Sequence, residues 1–328
     1  MSIAVVVVAV ALAHAGAFSP PPLSTVAAQV AKPVPIAGSD GSAWAKRLVT
    51  VTQPFLGAPY VLSPLGEGAG QPPDDDPRFR TDAFDCTTFV ETAMAFALAA
   101  DLNEGLQILD QLRYRGGHIG YAQRRHFPES EWIPDMIRAG LLVDITRQVG
   151  GDEVVVETKH LDAKTWHRTK HKGLPTLADA RIPDGTFALD VWPLDKAMAH
   201  PQRIPIGTVL HLVRIDFKNV PVRVSHQGIV VEVKGQRFLR HAADRMHHRV
   251  LDEPLERFFY RMSKYGKWPV SGVHLTRFLP AADWRLRLQV EQGAPLLPEA
   301  PPEAFVAPSI DPLSTDDPAS IPVVPVGD

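Results

Sequence analysis

Cys86, His226 and His241 have the types and settings that acyl-transfer chemistry needs. Cys86 is the chain's only cysteine and lies in Asp85-Cys86-Thr87-Thr88-Phe89-Val90-Glu91, where the most apolar helical stretch begins. Free backbone N–H groups and the positive end of a helix dipole favour thiolate at such a place. A cysteine nucleophile needs a base within hydrogen-bond reach, and the base needs a third polar group to hold its tautomer and orientation. His226, in Ser225-His226-Gln227-Gly228-Ile229-Val230-Val231, and His241, in Phe238-Leu239-Arg240-His241-Ala242, suit those two roles. The N–H of Cys86 itself would stabilise an acyl oxyanion. A lone cysteine is more often a small, inert core residue, and the chain has 13 histidines, so the assignment depends on what brings the three together.

The positioning elements can be read from pattern. Phe89, Val90, Ala93, Phe96, Ala97 and Ala100 recur at helical spacing, and no Gly or Pro interrupts before Gly105. Asp82 or Asp85 supplies the capping oxygen. Residues 209–217, 222–233, 238–243 and 272–278 read as strands of an antiparallel meander, with turns at Asn219-Val220-Pro221 and Lys234-Gly235 and a helix over 254–265. With Lys234-Gly235 as a two-residue turn, Val233 pairs with Gln236 and His226 lies opposite Ala243. His241 is then its diagonal neighbour on the same face, roughly 7–8 Å away at the backbone, and a one-residue slip would separate them.

Helices are expected over 44–56, with Trp44, Leu48, Val51 and Phe55 on one face, and over 104–112. The segment 63–84, rich in Gly, Pro and Asp, has no element of its own and ends on the cysteine. Loops of that length are commonly functional. Residues 113–132 hold Tyr114, Arg115, His126 and Trp132. They read either as surface or as a cleft wall whose rings stack on a sugar and whose cation pairs with a carboxylate. Residues 154–156 suggest a strand, and 159–172 a basic loop. His167 and His171 are four apart there, but no carboxylate or cysteine sits beside them at ligand spacing, so no metal site is expected.

The chain has 328 residues, 45% of them apolar, enough for a sizeable core, and its net charge of −3 gives no reason to expect a nucleic-acid partner. The 31 prolines cluster toward the two ends. Residues 3–12 form an apolar run followed by Ala13, Ala15 and Ala17, so 1–17 are expected to be a secretory signal although no Lys or Arg precedes the run. That implies an exported, periplasmic or extracellular protein with no membrane anchor after cleavage, and an unpaired exported thiol is one to regard as reactive. Residues 18–42 are expected to be a Pro/Ala-rich linker, 43–290 the catalytic domain of a monomer, and 291–328 a Pro-rich disordered tail.

Leu56-Gly57-Ala58-Pro59-Tyr60-Val61, Phe84-Asp85-Cys86-Thr87-Thr88-Phe89-Val90, His226-Gln227-Gly228-Ile229 and His241-Ala242 resemble, in order and spacing, the NlpC-type papain-like cell-wall peptidases. Leu112-Arg113-Tyr114-Arg115 and Ile145-Thr146-Arg147 with Gly150-Gly151 look like the N-acetylmuramoyl-L-alanine amidase branch of that superfamily. The likeness covers about 48–278. It departs at Gly207-Thr208, where the family carries Gly-Asp, and at Arg115-Gly116-Gly117, where the branch tends to have Asp. It implies an α+β, papain-like NlpC-type fold with the catalytic helix packed on an antiparallel sheet. Cys86 would be nucleophile, His226 base and His241 orienter. Tyr60 would assist the oxyanion or bind substrate, and Asp85, Tyr114, Arg115, His126 and Trp132 would join it at the substrate. No metal or organic cofactor is implied, and the partner is peptidoglycan or a muropeptide. Three readings stay open beside the amidase: an endopeptidase cutting between D-glutamate and the diamino acid of the stem peptide, an acyltransferase, and an inactive wall-binding module.

Overall fold

The computed structural model describes residues 18–36, 41–168, 177–218, 220–244 and 246–292. In chain order its helices are α1 (Leu23–Val30), α2 (Gly41–Thr52), α3 (Cys86–Leu98), α4 (Leu102–Arg113), α5 (Ile133–Arg138), α6 (Thr146–Gly150), α7 (Ala163–Arg168), α8 (Leu194–Ala199), α9 (Leu255–Ser263) and α10 (Trp284–Gln292). Its strands are β1 (Leu142–Asp144), β2 (Val155–Leu161), β3 (Gly185–Pro193), β4 (Thr208–Arg214), β5 (Val224–Val233), β6 (Gln236–Ala243), β7 (Arg249–Pro254) and β8 (Val270–Phe278). They form one sheet in the order β2-β3-β8-β4-β5-β6-β7, with β1 also paired to β8 and every pairing antiparallel.

Apolar clusters cover both faces of this sheet. Trp44, Leu48, Phe89, Val90, Phe96 and Met136 from the helices before β1 meet Val209, Val213, Ile229, Val231 and Ala242. Leu255, Phe258, Phe259 and Met262 of α9 meet Leu210, Leu212, Val230, Leu239 and Val273. All seven residues of β4 are buried for that reason. A strand covered on both faces cannot show the apolar–polar alternation of a half-exposed one.

Helix α3 is the centre of the helical layer, and every residue in it except Thr87 is buried. Both of its ends are fixed. Asp85 is the N-cap, and buried Arg47 donates to the carbonyls of Phe96, Ala97 and Ala99 at the other end. The same guanidinium donates to Gln29 and Val30 at the end of α1. A cation at a helix C-terminus satisfies the last carbonyls and complements the dipole.

The α+β architecture and antiparallel sheet agree with the sequence reading. So does the β5–β6 hairpin: Val233 pairs with Gln236, and Lys234 (φ 51°) and Gly235 (φ 80°) both have the positive φ of a type I′ turn. Other parts differ. The stretch expected to be a linker contains α1, whose Val26 and Val30 are fully buried in the core. Strands β1, β3 and β7 were not anticipated. The expected basic loop begins as the end of β2, where Lys159 is buried and its Nζ donates to Asp216 Oδ1 at 2.6 Å. His171, the Asn219 turn residue, the signal segment and the tail beyond Gln292 lie outside the described residues.

Candidate active site

Cys86 is the first residue of α3 and is 1% exposed. Of the two capping candidates Asp85 is the one used. Its Oδ1 accepts from the Thr88 N–H at 2.8 Å, the Asp85 N–H donates to Thr88 Oγ1 at 3.0 Å, and Oδ2 accepts from the Ser63 N–H at 2.9 Å. This reciprocal box fixes the first turn around the thiol. The thiol's near partner is Thr87 Oγ1 at 3.7 Å. Burial, and then the Asp85 carboxylate, push the Cys86 thiol well above its ordinary value, while hydrogen bonds from Thr87 and Gln227 pull the other way.

His226 and His241 meet as the hairpin register requires. Continuing the pairing Ile229↔Arg240 sets Gly228 opposite His241 and His226 opposite Ala243. From those diagonal positions His226 Nε2 lies 2.6 Å from His241 Nδ1, with the rings edge-on at 4.8 Å. His226 Nδ1 is buried with no hydrogen-bond partner. Burial, followed by His241, Arg261 and Arg214, holds His226 well below the usual imidazole range, so it is neutral. His241 Nε2 in turn lies 3.3 Å from Glu253 Oε2 on β7, within ion-pair distance but off the line of an ideal hydrogen bond.

Cys86 and His226 line one cavity of about 260 Å³. Thr87, Ser225 and Gln227 share that wall, and Tyr121, His126, Phe127, Trp166 and Val222 form the apolar side. The 63–84 loop supplies Ser63 and Leu65, and Leu62 just before it also lines the cavity. It is tied to the wall by Arg113 to the Leu65 carbonyl (3.0 Å), Tyr114 Oη to the Gly66 carbonyl (2.9 Å), and Arg124 to Glu67 and Asp74.

Several expected substrate contacts are placed elsewhere. His126 does line the cavity, its Nε2 2.7 Å from the Tyr121 carbonyl. Asp85 lines it too, but both its oxygens hold backbone N–H groups, which makes it a cap. Tyr114 is fully buried beneath the 63–84 loop. Trp132 is a core residue whose Nε1 donates to Glu91 Oε1 at 3.0 Å. Aromatic side chains here were recruited to packing because an indole or phenol is buried readily once its polar atom finds a partner. Arg115 is part-exposed near Asp135, and half-buried Tyr60 forms a bridge to Phe84; neither is among the cavity-lining residues. Among the described residues no group of His, Cys, Asp and Glu is placed to hold a metal ion.

A family profile described as AmiA-like, N-acetylmuramoyl-L-alanine amidase-like, matches residues 50–264. The chain belongs to this family. No curated protein matches it. Among solved structures the AmiA-like chain is similar to a Legionella pneumophila protein of the DUF1460 family, at 23% identity and a TM-score of 0.64 over 72% of this chain and 89% of that one. It is also similar to an N-acetylmuramoyl-L-alanine amidase from Bacteroides uniformis, at 23% identity and a TM-score of 0.56 over 72% of this chain and 99% of that one. These likenesses show a shared fold, and the family is an amidase-like one with a cell-wall theme.

Two residues at the AmiA-like site were not singled out from sequence. Gln227 follows His226 and is buried in the cavity wall, with Nε2 3.5 Å from Thr87 Oγ1. Its place between His226 and Gly228 was the available signal. Glu253 is 2% exposed and held by Arg261 through Nε–Oε1 (3.1 Å) and Nη2–Oε2 (2.6 Å). Burial alone would raise its pKa, but His241 and Arg261 bring it down to about 2. In Asp252-Glu253-Pro254 it looks like surface charge, and only β7 reveals it.

Proposed function

We propose that the protein is a cysteine-dependent amidase of the NlpC-type papain-like kind, cleaving the bond between N-acetylmuramic acid and L-alanine in peptidoglycan or released muropeptides. One observation carries the cysteine mechanism: Cys86 and His226 line one cavity, and His241 occupies His226 Nε2 while the other ring nitrogen is left unpartnered.

The thiol proton passes from Cys86 Sγ to His226 Nδ1 as sulfur bonds to the lactyl carbonyl carbon. The oxyanion faces the start of α3, where the Cys86 N–H is not used by the cap. Collapse breaks the C–N bond, and the imidazolium returns the proton to the leaving α-amine of L-alanine. A water then gives its proton to His226 as it attacks the thioester, releasing the muramoyl carboxylate and the thiol.

The choice of bond rests on the family's description and on the cavity wall, where Tyr121, His126 and Trp166 can face a sugar. Export by the apolar N-terminal run, to periplasm or exterior, would bring the enzyme to that substrate.

Paired digestion with mass spectrometry tests the reading. Free intact stem peptide from a muropeptide, with no reaction on the sugar-free peptide, is the expected result. Cleavage of the sugar-free peptide between its second and third residues would replace the amidase by the endopeptidase.

A further inference from the structure

The two histidines do not by themselves determine where their protons sit. A neutral imidazole carries one N–H. Across the 2.6 Å contact, either His226 Nε2–H donates to His241 Nδ1, or His241 Nδ1–H donates to His226 Nε2. In the first arrangement His226 Nδ1 is a bare lone pair. In the second it carries the hydrogen and cannot take the Cys86 proton. Something beyond His241 must choose.

The sheet register brings one more side chain into line. His241 pairs with Leu251 on β7, and Glu253 is two residues along, level with Leu239. Glu253 is therefore related to His241 by the same diagonal step that relates His241 to His226. The three side chains run obliquely across β5, β6 and β7 on one face, beside the Phe258 ring, which lies 5.9 Å from His226 and 5.5 Å from His241. Arg261, on the same helix as Phe258, holds Glu253 at two points. All three side chains are buried, with exposures of 0–2%.

We propose that Glu253, clamped by Arg261, is a positioning residue that sets the proton order along His241 and His226 and leaves His226 Nδ1 a bare lone pair. The proposal rests on the cysteine-hydrolase reading above. A carboxylate only accepts, so the 3.3 Å approach of His241 Nε2 selects the tautomer with hydrogen on that nitrogen. His241 Nδ1 must then accept, His226 Nε2 must donate, and one lone pair remains. When His226 takes the thiol proton, the buried negative charge two steps away stabilises the imidazolium without itself being protonated. The other charged groups bearing on this file are Arg261 from α9 and Arg214 from β4.

The test uses the full chain and two readouts. One is muropeptide turnover. The other is alkylation of the sole cysteine by iodoacetamide, followed by mass spectrometry from pH 5 to 9, which needs no knowledge of the substrate. Glu253→Gln is expected to lower kcat about 100-fold with KM within about two-fold, and to move the pH at which the thiol alkylates upward. Glu253→Asp keeps the charge and is expected to recover at least a tenth of wild-type turnover. It serves as the decisive variant if circular dichroism shows that Glu253→Gln has lost its fold. Glu253→Gln combined with His241→Ala is expected to be no slower than His241→Ala alone, because both act through one imidazole. Wild-type kcat and alkylation profile in Glu253→Gln, losses that multiply with His241→Ala, or a Glu253→Asp no better than Glu253→Gln would each overturn the proposal. Muropeptide left intact by the wild type, with alkylation still dependent on Glu253, would instead retire the hydrolase reading and keep the proton order.

Discussion

Gly228 sits directly opposite His241 in the β5–β6 pairing, and replacing it by alanine is the sharpest test of how the histidines are held. Gly228 is not among the positive-φ glycines, so alanine brings no backbone penalty. The penalty is steric. An added Cβ would lie 2.8 Å from Leu239 Cγ and 2.9 Å from both Leu239 Cδ1 and His241 Cβ. Carbon atoms in good contact sit about 3.5–4.0 Å apart, so the shortfall is roughly 0.6–1.2 Å at each. Leu239 can turn, but a Cβ moves only with its strand, so β6 must shift against β5. Overpacking of this kind costs about 1–3 kcal/mol, or roughly 2–12 °C in melting temperature for a domain of this size. The shift also stretches the 2.6 Å histidine contact, and displacement of a positioned group by about 1 Å costs on the order of 100-fold in rate. Differential scanning fluorimetry and steady-state kinetics on one preparation would measure both effects. A melting temperature within about a degree of wild type and kcat within about two-fold would refute the packing argument. A lowered melting temperature with unchanged kcat would show that Leu239 absorbs the methyl and leaves His241 in place.

Cys86→Ala should abolish turnover with circular dichroism unchanged. His226→Ala should be nearly as damaging, and His241→Asn milder because Asn retains an acceptor. Asp85→Ala should lower the melting temperature by roughly 2–4 °C through loss of about 1 kcal/mol of cap. Asp85→Asn should keep the cap and, with the charge beside the thiol gone, alkylate faster than wild type at pH 8. Burial raises Glu129 to about 7, opposed by the Arg223 N–H among others. Its folded value lies above its unfolded one, so ionising it costs stability as pH rises from about 4.5 to 7. Glu129→Gln removes that cost, so its melting temperature should gain on wild type at pH 8 relative to pH 5. An equal difference at both pH values would refute the titration.

The parts of the fold legible in sequence are those whose signal is local. The α3 pattern depends on its own spacing, and the hairpin on Lys234-Gly235, so the helix start and the His226–His241 diagonal followed without tertiary information. What was missed is defined by partners. Helix α1 is short and set among prolines, and it is a helix because Val26 and Val30 reach the core and Arg47 takes its last carbonyls. Strand β7 carries Arg249, Asp252 and Glu253 in six residues and becomes a strand by pairing with β6. Tyr114 and Trp132 were misplaced for the converse reason. A cluster of rings and cations in sequence does not say which face a loop turns outward, and here the rings turned in while His126 reached the cavity.

The thiol shows where reasoning from one local feature stops. A helix start favours a thiolate by about 0.3–1 kcal/mol at a surface and up to about 2 kcal/mol when partly buried. Removing an ion from water costs several kcal/mol, and Cys86 is 1% exposed with a carboxylate beside it. Desolvation therefore wins, and the isolated thiol stays protonated. The same burial keeps His226 neutral. Neither group ionises alone, but transferring one proton between them creates two opposite charges at once, and their attraction offsets the desolvation of each. In the proposed mechanism the nucleophile is thus a property of the pair. The same burial protects the chain's only cysteine, since oxidation follows exposed thiolate. It follows that His226→Ala should remove alkylation by iodoacetamide at neutral pH along with turnover. An intact alkylation rate in that variant would mean that the helix start alone makes the thiolate.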